Sequence, residues 1–172
     1  QAIDEKYDVI MVDAYQDITI PFQMSSVEFF TMVKEHLNEN GVMVVNMNMR
    51  GNNEGNINQY LSDTIASVFD HIVTVDVDGS TNRELHASSN ADMVKTLENN
   101  ANETGHSDLR DMMLHVADTS SVYEAGDYIM TDDKAPVELL GMQVIDQLIQ
   151  GEVAYYKDIF EKDGINGLLE SL

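Results

Sequence analysis

Val9, Ile10, Met11 and Val12 form an unbroken apolar run that ends on an acid, Asp13. A run apolar on every side predicts a strand buried on both faces of a parallel sheet, with the acid at its carboxyl end, where such sheets place ligands. "VMVVNMNM", residues 42–49, predicts a second strand of the same kind. Between the two, Phe29, Phe30, Val33 and Leu37 recur at helical spacing. Ser25 and Glu28 have the spacing of a capping box at the start of that helix, and Gly41 stands where a left-handed residue would end it. Two buried strands joined by one helix make a βαβ unit, which predicts parallel strands and a right-handed crossover.

Beyond a polar loop, "RGNNEGN", the apolar positions Ile57, Tyr60, Leu61, Ile65, Val68 and Phe69 predict a helix over 56–69. The pattern then changes period. Val73, Val75 and Val77 alternate with polar residues, Asp78-Gly79 supplies a turn, and Leu85 and Ala87 return, which predicts an antiparallel hairpin. Asn90 can cap a helix to about Glu98, residues 99–108 read as a polar and mobile loop, and a short helix covers Leu109–Val116. Val137, Leu140, Val144, Ile145, Leu148 and Ile149 trace one face of a long helix, and one or two small helices close the chain. The expectation is one α/β domain, residues 1–172, with parallel strands, helices and an antiparallel hairpin at one edge of the sheet.

Composition narrows the chemistry. With 43% hydrophobic residues the chain is globular, and with no cysteine it can form neither a disulfide nor a thiolate metal site. The apolar runs are too short for a bilayer span, so no membrane contact is expected of this segment. Nine Lys and Arg against 31 Asp and Glu leave a net charge of −22. That field repels phosphate backbones, which argues against nucleic acid, and attracts small cations such as polyamines. The histidines, His36, His71, His86, His106 and His115, lack metal-ligand spacing, so no metal is expected. "DVDGSTNRE" shares the opening of an EF-hand loop but lacks its twelfth-position ligand, and a hairpin turn explains it. The eleven methionines fall mostly on core-facing positions, where they serve as adaptable packing.

The order of elements resembles the second half of the S-adenosylmethionine-dependent transferase fold, a partial Rossmann-like arrangement. Locally, "YDVIMVDAYQ", "FFTMVKEHLNENGVMVV" and "TDDKAPVE" resemble motifs of the spermidine synthase-like (polyamine aminopropyltransferase) family, and the likeness runs from about Lys6 to Ile149. Carried over by position, the resemblance makes Asp13 the general base that takes a proton from the attacking amine, since an ammonium has no lone pair with which to attack. It assigns substrate contacts to Tyr15, Gln16, Asp17, Asp132, Asp133 and Glu138, and cofactor contacts to Ala14 and Pro21. The family's second acid, three residues after the first, is Gln16 here, which removes a charge from the amine site and argues against putrescine as the acceptor. Asp132 and Asp133, close before Pro136, are equally read as acids that complement a helix dipole.

The glycine-rich turn and the ribose-binding acid that such folds use to hold a nucleoside are not in this sequence. The chain is therefore expected to be the C-terminal portion of the domain without its nucleoside-binding half. The intact parent would use decarboxylated S-adenosylmethionine or S-adenosylmethionine, and none is expected on this segment. Its partners would be a small cationic amine, and either a second copy of the chain or the nucleoside-binding half. The expected location is the cytoplasm. Two other readings share the pattern: a methyltransferase-like domain, and a non-catalytic domain that self-associates through an exposed sheet edge.

Overall fold

The computed structural model describes residues 4–13, 20–47 and 54–170. Its first strand, β1 (Tyr7–Val12), is followed by a single 3-10 turn at Phe22–Met24 and then by α1 (Val27–Glu35) and β2 (Leu37–Met47). Next come α2 (Ile57–Ala66), the hairpin β3 (His71–Asp76) and β4 (Arg83–Ser88), and the helix pair α3 (Met93–Glu103) and α4 (Ser107–Thr119). A two-residue strand, β5 (Ser121–Val122), precedes the last helix, α5 (Val137–Glu170). The strands form one sheet in the order β1-β2-β4-β3-β5. β1 and β2 are parallel, while β2–β4, β3–β4 and β3–β5 are antiparallel. The architecture is thus mixed α/β and partial Rossmann-like, with the predicted parallel pair and the predicted hairpin both present.

The pleat decides what each face does. Ile10, Val12, Met43, Val45, Met47, Leu85, Ala87 and Ile72 point to one side, where they form the core with Phe30 and Val33 of α1, Leu61 and Ile65 of α2, and Val137 and Leu140 of α5. The other side carries Val9, Val42, Val44, Val73 and Val75, with α3 and α4 leaving an apolar cavity of about 270 Å³ against part of it. His86 also lines this cavity, and burial pushes its imidazole below its ordinary value against the pull of Glu84.

Several expectations are corrected. β1 is not buried on both faces: it lies at the sheet margin, with Val9 55% and Met11 72% exposed. Its apolar run reflects a second face left uncovered rather than a packed one. The cap of α1 is Ser26, not Ser25; its hydroxyl accepts from the Phe29 N–H at 3.3 Å, while the Ser25 hydroxyl turns back to donate to the Phe22 carbonyl. Gly41 does not end the helix but lies inside β2, after an irregularity that sets Tyr7 against Leu37 and Val9 against Val42. There a Cβ would meet the Tyr7 carbonyl oxygen at 3.0 Å, so close backbone approach is what selects glycine. Most of 99–108 is helical: α3 runs on through buried Ala101, and only Thr104 to His106 separate it from α4. The closing segment first continues α5, and a short second helix follows the break at Gly164, where φ is 63°, so a small closing helix is present but begins later than expected. The predicted apolar face of α5 divides, with Val137 and Leu140 buried and Ile145 and Ile149 exposed.

Candidate active site at the carboxyl end of the parallel strands

Asp13 follows β1 directly and is exposed. Because side chains alternate, Val9, Met11 and Asp13 share a face, as do Val42, Val44 and Asn46 on β2. Asn46 pairs in register with Glu84 on β4, which brings that carboxylate to the same face. The face is apolar along most of its length and turns polar where the parallel strands end. There Met11, Val12, Val44 and Val77 join Asp13, Asn46, Asn82 and Glu84 around a cavity of about 180 Å³.

The polar groups are linked in sequence. The Asn82 amide donates to the Asn46 side-chain oxygen at 3.2 Å, and the Asn46 amide donates to Asp13 Oδ1 at 3.1 Å. Each asparagine thereby fixes the orientation of the next group, and among the described residues it is Oδ1 of the Asp13 carboxylate that accepts. The hairpin that delivers Asn82 is locked by a two-point contact from Arg83 to Asp76, at 2.6 and 3.3 Å, and by the turn at Gly79, where φ is 70°. Asn46, Asn82 and Glu84 were not singled out from the sequence. The signal available for Asn46 was a polar residue breaking an apolar strand, whereas Asn82 and Glu84 come to the site only through strand pairing.

The other predicted site residues fare differently. Ala14, Tyr15, Gln16 and Asp17 lie outside the described residues. Pro21 is exposed, and its carbonyl accepts from the Met24 N–H at 2.8 Å. Asp132 belongs to the start of α1: the Ser26 hydroxyl donates to its carboxylate, and its own N–H donates to Glu28 Oε2 at 3.0 Å. Glu28 therefore completes a cap across the chain rather than within its own helix. Asp133 sits in the turn closed by the mutual backbone bonds of Thr131 and Lys134. Glu138 is exposed in the first turn of α5. Neither Asp133 nor Glu138 lines the Asp13 cavity.

A second acid, Asp63, is fully buried in α2 and has a structural part. Its carboxylate accepts from the Tyr123 hydroxyl at 2.6 Å and from the N–H groups of Gly126 and Tyr128 at 2.9 and 3.1 Å. This holds the segment between β5 and α5 against the core. Burial and the adjacent carboxylate push the Tyr123 phenol well above its ordinary value. Among the described residues no three His, Asp or Glu side chains converge as a metal site would need, and no helix is long and apolar enough to cross a membrane.

No family model matches the chain. Over 188 aligned residues it is 52% identical to a probable polyamine aminopropyl transferase of Bifidobacterium longum, a match that takes in 99% of this chain and 42% of that protein. The chain thus spans less than half the length of its curated relative. Among solved structures, human methyltransferase-like protein 13 in complex with SAH aligns with 70% of this chain and 52% of its own, at 16% identity and a TM-score of 0.46. A probable spermidine synthase from Corynebacterium glutamicum aligns with 74% and 52%, at 17% identity and a TM-score of 0.38. Both structural likenesses are loose, and the sequence identity carries the comparison: the chain is spermidine synthase-like over less than half of one curated polyamine aminopropyl transferase.

Proposed function

We propose that this chain supplies the amine side of an aminopropyl transfer, with Asp13 as the group that binds the acceptor ammonium and takes its proton. The observation that carries the reading is the Asp13 carboxylate, oriented by Asn46 and lining a small, partly apolar cavity together with Glu84. Methylenes of an amine suit Met11, Val12, Val44 and Val77, and an ammonium suits a carboxylate. The net charge of −22 raises the local concentration of such cations.

The described residues do not fit the sulfonium nucleoside. The cavity of about 180 Å³ is smaller than the ~300 Å³ at which drug-sized ligand sites begin. Of the left-handed glycines, Gly79 and Gly164 do not join a parallel strand to a helix, and Gly55, just before the Asn56 cap of α2, has the Tyr128 ring 3.8 Å from where its Cβ would lie. On this reading the donor is not held by the described residues lining the Asp13 cavity.

Calorimetric titration with diamines and monoamines tests the proposal. A single saturable site is expected, and Asp13→Asn abolishes it while changing the net charge by only one. Unchanged binding by Asp13→Asn would defeat the reading, because the affinity would then belong to the acidic surface at large.

A further inference from the structure

α5 carries more apolar surface than its own fold uses. Val137 and Leu140 are buried and Val144 packs against the core. Met142, Ile145, Ile149, Val153, Tyr156 and Phe160 occupy a different side. At 3.6 residues per turn these six fall within about 80° of one another, and their centre lies about 150° away from the core-facing trio. Five are exposed, from 40% at Ile145 to 61% at Met142 and Val153, and Tyr156 is half-buried. The stripe runs about 27 Å along the helix, a contiguous exposed apolar surface of the kind that marks interaction sites. Charge also thins out here, since Asp146 is the sole ionisable residue from Leu139 to Gly151 of a chain with 31 acids.

The spacing indicates the occupant. Reflected about Gly151, Ile149 falls opposite Val153, Met142 opposite Phe160, and Ile145 within one residue of Tyr156. Asp146 and Lys157 lie on one flank of the stripe and are mirror-related in the same way, within one residue. Both are exposed. In an antiparallel helix pair, like flanks meet, so two copies would set each Asp146 against the partner's Lys157 as the apolar residues close.

We propose that α5 is a self-association surface on which two copies of this chain pair antiparallel through Met142, Ile145, Ile149, Val153, Tyr156 and Phe160. The inference does not depend on the aminopropyl-transfer reading. Sedimentation of the full 172-residue chain should show a dimer of the 19.3 kDa protomer. Ile149→Asp, at an exposed position, should weaken it at least ~100-fold by burying an unpaired carboxylate, with the circular dichroism of the protomer unchanged. Orientation is read by cross-linking, because the chain has no native cysteine to interfere. Mixed chains carrying Met142→Cys or Phe160→Cys should form the mixed disulfide, since Met142 lies about 27 Å along the axis from its own copy in the antiparallel pair. A chain monomeric at about 100 μM, a dimer indifferent to Ile149→Asp, or disulfides chiefly between like positions would each overturn the proposal.

Discussion

Replacing Asp63 removes the anchor that holds 123–128 to the core. Asp63→Ala strips the acceptor from one hydroxyl and two backbone N–H groups. Hydrogen bonds to a charged acceptor contribute about 1.5–3 kcal/mol each, so a simple sum reaches ~5–9 kcal/mol. That sum overstates the cost, because Gly126 is exposed and Tyr123 and Tyr128 only half-buried, so water can reach the freed donors. The expected loss is about 3–4 kcal/mol, and about 2 kcal/mol for Asp63→Asn, which keeps one oxygen. With a urea slope of about 2 kcal/mol/M, the midpoint of unfolding followed by circular dichroism falls by about 1.5–2 M in Asp63→Ala at unchanged slope. Tyr123→Phe should cost about 1.5–2 kcal/mol, and the Asp63→Asn/Tyr123→Phe pair should fall short of additivity by about 1 kcal/mol. The phenol adds a pH signature. Its folded pKa is raised, so its contribution is complete below the unfolded value near 10 and is lost as pH rises from there towards the folded value. Tyr123→Phe should flatten that alkaline decline. A loss below about 1 kcal/mol in Asp63→Ala, or strict additivity in the pair, would refute the anchor.

Gly126→Ala tests the same contact from the other side. A Cβ there would lie 2.5 Å from Asp63 Oδ2, so a loss of about 1–3 kcal/mol is expected in urea melts, against almost none for Gly105→Ala, whose surroundings are open. Ser26→Ala removes the cap of α1 and its link to Asp132, and should lower stability by about 1–2 kcal/mol, whereas Ser25→Ala leaves the cap intact. His86 is held below its ordinary pKa by burial, so the unfolded chain binds more protons below about pH 6.5 and stability should fall as pH drops through that range. Guanidinium or urea midpoints measured from pH 7 to 5 should show a shallower fall in His86→Gln.

Much of the frame was legible because it rests on local periodicity. The hairpin followed from the alternation of Val73 and Val75 and the Asp78-Gly79 turn, and the β1–α1–β2 unit from two apolar runs around one helical stripe. What escaped depends on contacts distant in sequence. Asp63 looks like an ordinary polar position on a surface helix, and only the return of the chain some 60 residues later gives it three donors. The capping box slipped by one because Ser25 and Ser26 are adjacent, and Glu28 found its donor at Asp132. The run Val9–Val12 could not reveal that one of its faces is open, since an uncovered apolar face and a packed one read alike. Asp13 stands out in the sequence only through its motif, whereas Asn46 and Glu84 line the same cavity through register between β2 and β4.

The account turns on whether Asp13 and its neighbours form an amine site, and the side-chain amide signals of Asn46 and Asn82 report on it directly. In a diamine titration followed by nitrogen–proton correlation spectra, the Asn46 signal should move first and saturate, Asn82 should follow more weakly, and both should stay still in Asp13→Asn. Shifts scattered evenly over the acidic surface, unsaturated and indifferent to Asp13→Asn, would contradict it.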